Sequence, residues 1–263
     1  MTAPSLFVRI MSALVFCFML IPLAVIVLFS FSDRSFFVFP PRGFSLQWYA
    51  RAWDSGYFLV PAARSFGVAA IATVSSAAIA ITAALALRRL KGSRLAQLLE
   101  FIFLTPLIIP HLILGIALLH YFNPPRLIDT FSGLLLAHIV LIFPFLFRTV
   151  LTSVHDLNPQ LEEASEILGA SPFTTFRRVV LPALTPGIVA GSILAFIVSF
   201  DQFTVSLLIT QRDQITLPVA IYKYLYDVND PVAAAVSTAL VVVGFSITLV
   251  VQRLGLMRTV PSG

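Results

Sequence analysis

Residues 156–182, DLNPQLEEASEILGASPFTTFRRVVLP, form a hydrophilic interruption late in a very apolar chain. The stretch predicts two short helices joined by a turn. Asn158 suits the cap of the first, with Pro159 at the first helical position. Glu162 and Glu163 fall in the opening turn, where carboxylates meet the positive end of the helix dipole. Gly169 suits the left-handed residue that ends a helix. Ser171 and Pro172 restart the chain in the same way, and Arg177 and Arg178 fall in the last turn expected of the second helix. Leu161, Ala164, Ser165 and Leu168 share one face of the first helix, while Glu162, Glu163 and Glu166 point elsewhere. Phe173, Phe176 and Val180 make an apolar stripe on the second. A capped helical elbow of this kind between two membrane spans offers a surface for another protein to grip.

The surrounding chain explains why the elbow stands out. Hydrophobic residues make up 59% of the 263 residues and charged residues only 11%, a profile of a polytopic membrane protein. The formal charge of +5 comes mainly from arginines in short loops between apolar runs, so membrane topology accounts for it and no nucleic-acid partner is expected. The single cysteine, Cys17, lies in an apolar run, which leaves no disulfide framework and no Cys-rich metal site. The first apolar segment is too long for a signal-peptide core and is read as a retained span.

A spanning helix needs about 20 mostly apolar residues. Six candidates are expected, near 7–31, 60–87, 97–120, 131–152, 185–209 and 231–254. Arg88, Arg89, Lys91 and Arg94 cluster after the second, and basic loops face the cytosol. Counting spans from there places the elbow and both chain ends inside. The first external loop is aromatic; Ser45 is placed to cap a short helix that lays Trp48, Tyr49 and Trp53 along the outer interface.

The second span is rich in small residues, which let helices approach closely in lipid. The third carries Pro106 and Pro110, each removing a backbone hydrogen bond, and is expected to be kinked. His111 and His138 have no acidic or thiol partner at ligand spacing and are read as satisfied interior histidines. In the fifth span Asp201 is expected inside an apolar helix, beyond its middle, with Gln202, Thr204 and Ser206 nearby. A carboxylate at that depth costs about 2.5–3.5 kcal/mol on insertion scales, so it should face a partner or a water-filled cavity. Two readings stay open: a structural bond to another span, or an anionic site on a path that a cation visits.

Glu163-Ala164-Ser165, Gly169, Val179, Leu181 and Pro182 resemble the EAA signature of ABC importer membrane subunits, which runs Glu-Ala-Ala, three residues, Gly, nine residues, Ile-x-Leu-Pro. Ser165 stands for Ala and Val179 for Ile. The segments GFSLQWYARAW (43–53), SFDQFTVSLL (199–208) and LPVAIYKYLY (217–226) are similar to matching parts of polyamine-type permeases. The resemblance implies an all-α integral membrane protein of the type I ABC importer permease (MetI-like) fold. It would have six transmembrane helices and a cytoplasmic coupling elbow, 156–182, between the fourth and fifth, all in one permease domain over 1–263.

The resemblance further implies that Glu163, Ala164, Ser165, Gly169, Ala170, Ser171, Pro172, Leu181 and Pro182 meet an ATP-binding cassette ATPase dimer. A second permease subunit, expected to be a different chain, and an external solute-binding protein would complete a system in the bacterial inner membrane. Asp201, Gln202 and Thr204 are the expected path residues, for a small cation such as spermidine or putrescine. Aminophosphonates, amino-acid derivatives, thiamine-like cations and iron are the alternatives within the same architecture. An ion-driven carrier using Asp201 would leave the elbow without a purpose. No phosphate-binding glycine loop, catalytic constellation or cofactor motif occurs, so ATP hydrolysis is expected in a partner.

Overall fold

The computed structural model describes residues 5–35, 43–90, 92–124, 126–228 and 230–253. Helices account for nearly all regular structure. In order they are α1 (Leu6–Ser30), α2 (Gln47–Asp54), α3 (Leu59–Arg89), α4 (Arg94–Leu104), α5 (His111–Phe122), α6 (Phe131–Asp156), α7 (Pro159–Ile167), α8 (Pro172–Thr175), α9 (Leu181–Phe200), α10 (Thr204–Ile209), α11 (Leu217–Asp227) and α12 (Val232–Arg253). Among the described residues the only strand-like pairing is an isolated bridge between Ser32 and Phe44.

Among the described residues four continuous helices are long and apolar enough to cross a membrane: α1, α3, α6 and the run Pro172–Phe200. The expected third span is two helices, not one kinked helix. A turn of 3₁₀ helix, Thr105–Leu107, follows α4, and α5 leaves the break at 103° to the preceding segment. Pro106 and Pro110 supply no amide hydrogens, so the ladder cannot run through. The Thr105 hydroxyl donates to the Phe101 carbonyl at 2.8 Å, and the Ile108 N–H reaches the Thr105 carbonyl at 3.0 Å, satisfying groups that lipid would leave bare. Counted as one crossing, the bent pair makes five; the described apolar run of α12, Val232–Ser246, is shorter than a span.

The chain divides into two compact units, Met1–Val60 with Ala220–Leu249, and Pro61–Val219 with Val250–Gly263. In the first, α2 is bolted to the end of α1. The Trp48 indole N–H donates to the Ser32 carbonyl at 2.6 Å, and the Tyr49 hydroxyl meets Ser30 Oγ at 2.8 Å. Trp48 is therefore buried, at 3% exposure, and not spread on the outer interface as its sequence neighbourhood implied; Trp53 is the exposed indole. Ser45 accepts from the Gln47 N–H, although the helix cap itself falls on Leu46. The Asp230 carboxylate accepts from Tyr224 and from the Val232 N–H, and pairs with Arg51 at 3.5 Å.

In the second unit α6 and α9 lie closest. A Cβ added at Gly187 would stand 2.6 Å from the Thr149 carbonyl oxygen and collide with Ser153 Oγ; one at Gly191 would collide with Thr149 Oγ1 and stand 3.2 Å from Leu146 Cα. Gly187, Gly191 and Ala195 thus form a small-residue stripe spaced by four, the spacing that lets helices touch in lipid. Phe103 on α4 packs edge-on to Phe143 and Phe147 of α6. On another side α5 meets α10: Gly115 lies where a Cβ would come 2.6 Å from Leu208 and 3.5 Å from Val205 Cα.

The loops at that end are clasped by Asp129. Its backbone is left-handed (φ 55°), a conformation aspartate tolerates, and its carboxylate accepts from the N–H groups of Gln211, Arg212, Asp213 and Gln214 at 2.9–3.2 Å. Partial burial works to raise the Asp129 pKa, but the four donors outweigh it and hold the carboxyl below its ordinary value.

Replacing Gly191 by Leu should force α6 and α9 apart and lower the detergent-solubilised melting temperature by several degrees. Overpacking of this kind costs about 1–3 kcal/mol or more. Replacing the neighbouring exposed Ala190 by Leu should leave it within about one degree, since surface changes are small.

Candidate functional site at a helical elbow and a broken span

The elbow is built by its caps. Asn158 Oδ1 accepts from the Gln160 N–H at 3.0 Å, and Pro159 opens α7. At the other end Gly169 has φ +78°, its N–H reaches the Glu166 carbonyl at 2.9 Å, and the Ala170 N–H reaches the Ser165 carbonyl at 3.1 Å. These two bonds define a Schellman stop, which needs a left-handed residue at that place. Ser171 Oγ then accepts from the Thr174 N–H at 3.3 Å.

The second half departs from expectation. It does not end at Arg178. From Pro172 the chain passes through one turn of α8, widens into a π turn at Phe176–Val180, and continues as α9 to Phe200, 29 residues in all. Pro182 explains the widening. It offers no N–H to the preceding turn, and the Leu181 N–H reaches back five residues to the Phe176 carbonyl instead. Leu181 and Pro182 consequently sit in the first turn of α9, not at the elbow tip.

Three ties hold the elbow. Ser165 Oγ meets Thr175 Oγ1 at 2.9 Å, linking α7 to α8; one of the two residues that depart from the EAA pattern makes this bond. Arg88, in the last turn of α3, forms an ion pair with Glu162 in the first turn of α7. Each charge complements the dipole of its own helix. Val180, Leu184 and Leu157 are buried in the core beneath. Large apolar side chains are left outside: Ile167 is 86% exposed, Leu168 87%, and Phe173 is exposed as well. Of the face shared by Leu161, Ala164, Ser165 and Leu168, both leucines are exposed. Glu163, Ala164, Gly169, Ser171 and Pro172 are exposed, whereas Ser165 and Ala170 are half-buried. Sequence reasoning missed the role of Arg88 and Thr175, because neither lies in the motif; their only trace was opposite charge and a hydroxyl on a distant segment.

Asp201 does not lie inside a continuous helix as expected, but at the end of one. α9 stops at Phe200, the Asp201 N–H closes its last turn on the Ile197 carbonyl at 3.0 Å, and the side chain is exposed. Residues 201–203 separate α9 from α10, and Thr204 opens the latter, half-buried. Gln202 is buried, as are Ser199 and Ser206. Both of those serines bond to His138 of α6, which is satisfied as its sequence setting implied. Among the described residues no group of His, Cys, Asp and Glu could hold a metal ion.

A long helix with a capped elbow at one end and a break at the other, set among apolar spans, is the permease subunit of an ABC importer. The chain belongs to the family described as binding-protein-dependent transport system inner membrane component, whose profile matches residues 76–255. It is a multi-pass inner-membrane subunit and not an enzyme; ATP hydrolysis in such systems sits in a separate subunit.

Among its relatives, the spermidine/putrescine transport system permease protein PotC of Haemophilus influenzae is 27% identical over 241 residues, 90% of this chain and 92% of that one. A permease of Salmonella typhi named for 2-aminoethylphosphonate transport, PhnV, is 30% identical over 250 residues, 92% of each. The fold is also that of a bacterial ABC transporter involved in the import of the acidic polysaccharide alginate. The TM-score is 0.73 at 18% identity, covering 96% of this chain and 99% of that one. The inward-facing methionine transporter MetNI gives a TM-score of 0.59 at 17% identity, over 78% of this chain and 96% of the other.

Gly169→Val should destroy the Schellman stop, since a left-handed residue costs about 1–2 kcal/mol without glycine. Amide exchange across 159–175 should accelerate at least fivefold by mass spectrometry. Gly169→Asn should change it far less.

Proposed function

We propose that this chain forms half of a translocation pathway for a small solute carrying an ammonium group, of the polyamine class. The whole of 1–263 acts as one permease domain with both termini in the cytosol. The observation that carries the reading is the exposed Asp201 carboxylate at the C-terminal end of α9. The helix dipole is negative there, so carboxylate and unpaired carbonyls favour the same cation. Arg88, Arg89, Arg177 and Arg178 support a cytosolic elbow, because basic residues concentrate on that side.

The elbow docks on an ATP-binding cassette ATPase dimer. Ile167, Leu168 and Phe173 form the apolar contact, around which Glu163, Ala164, Gly169, Ser171 and Pro172 set the shape; the half-buried Ser165 and Ala170 brace it, and Leu181 and Pro182 join it to α9. A second permease, a different chain, completes the path, and an external solute-binding protein delivers the solute past Asp201, Gln202 and Thr204. ATP-driven closure of the ATPase pair moves the elbow, and the run Pro172–Phe200 carries that motion to the break.

The relative named for 2-aminoethylphosphonate favours a second reading, in which the solute pairs its ammonium with a phosphonate. Asp201 would still receive the ammonium, but the anion needs a basic group from the partner permease.

The test is uptake by the complete importer in proteoliposomes, with spermidine, putrescine and 2-aminoethylphosphonate as competing solutes. Asp201→Asn should cut polyamine uptake about tenfold or more, the loss expected for one charge-assisted bond of about 1.5 kcal/mol. Assembly should be normal. Unchanged uptake would remove Asp201 from the path, and competition by the phosphonate alone would favour the second reading.

A further inference from the structure

His138 occupies a position that none of the transport chemistry above uses. It projects from the first third of α6 and is 1% exposed. Its Nδ1 lies 2.7 Å from Ser199 Oγ and its Nε2 lies 3.0 Å from Ser206 Oγ. Ser199 belongs to the last turn of α9, and Ser206 to α10. The imidazole therefore bridges the break from one side, with Asp201 on the intervening segment.

A bridge is needed at this place. α10 has six residues, far short of the length at which a helix holds itself together. Its other ties include apolar packing of Val205 and Leu208 over Gly115, the Asp129 N–H bond to the Ile209 carbonyl at 2.9 Å, and the clasp of the Asp129 carboxylate on 211–214; the last two hold its far end and not the break. Apolar contact permits sliding and rotation; two directed hydrogen bonds do not. A neutral imidazole donates through one nitrogen and accepts through the other, and a serine hydroxyl does either. Both bonds are thus satisfied only when the two half-helices hold one mutual orientation. A buried ring that lost one of them would keep an unpaired polar atom in an apolar interior, a costly state.

We propose that His138 is a positioning residue for transport: by bonding Ser199 and Ser206 it fixes the angle between α9 and α10, and so the place of the Asp201 carboxylate on the path. It does not touch the solute. The proposal rests on the reading of Asp201 as a path residue, and the experiment separates the two.

The complete importer is reconstituted with His138→Phe, which fills the space without hydrogen bonds, with His138→Gln, which can still reach both hydroxyls, and with the double variant Ser199→Ala/Ser206→Ala. Asp201→Asn is carried alone and combined with His138→Phe. Spermidine and putrescine uptake and ATP hydrolysis are measured on each. His138→Phe and the double serine variant should each raise the half-saturating solute concentration about tenfold, with maximal ATP hydrolysis unchanged. His138→Gln should return it to within about threefold of the native value. His138→Phe should add nothing to Asp201→Asn.

A native half-saturating concentration in the double serine variant overturns the proposal. So does an equal fall in maximal rate with that concentration unmoved, which marks a folding role. Failure of all three variants to assemble overturns it in the same way. If Asp201→Asn transports normally while His138→Phe still raises the half-saturating concentration, Asp201 falls and the bridge stands.

Discussion

Everything in the larger unit depends on how closely α9 can lie against α6. Lipid offers no hydrophobic gain for bringing two apolar helices together, so contact must come from van der Waals packing over a smooth surface. Gly187, Gly191 and Ala195 provide that surface, and Leu146, Thr149 and Ser153 fill it. The thin side of α9 lets its backbone approach the hydroxyls of α6, of which that of Thr149 donates back to the Leu146 carbonyl at 3.0 Å.

That seam makes a rod of the segment Pro172–Phe200. At about 1.5 Å per residue it spans roughly 43 Å, with the elbow at one end and the break beside Asp201 at the other. The π turn at Phe176–Val180 keeps the rod unbroken where Pro182 would otherwise interrupt it. Because α7 is stopped by Gly169 and strapped by Ser165 and Arg88, a push on the exposed Ile167 and Leu168 reaches both α9 and α3. On the proposed function, docking and solute contact would fall at the two ends of one continuous helical run, which stops at Phe200 beside Asp201.

Both breaks obey one constraint: freed backbone groups must find partners away from water. At α4 and α5 the Thr105 hydroxyl and a 3₁₀ turn supply them. At α9 and α10 the Asp201 and Gln202 N–H groups close the turn, and His138 ties the two ends. The second half-helices, α5 and α10, then pack on each other through Gly115.

The sequence by itself determined the membrane class, the caps at Asn158 and Ser171, the stop at Gly169 and the family motif. Each of these is a local matter, set by residues within a turn of one another or by the mean apolarity of a run. The satisfied state of His138 was legible too, though not its partners, which lie 61 and 68 residues away. Only the tertiary structure decided that the second elbow helix runs on into α9, that the third span breaks through 103°, that Asp201 ends a helix instead of lying within one, and that Trp48 is buried. The Gly187–Gly191–Ala195 stripe was written in the chain, yet small residues reveal a close contact only once the facing helix is known. Local signals specify how a segment starts and stops, whereas the directions of breaks and the partners of buried polar groups depend on atoms that the linear order keeps apart.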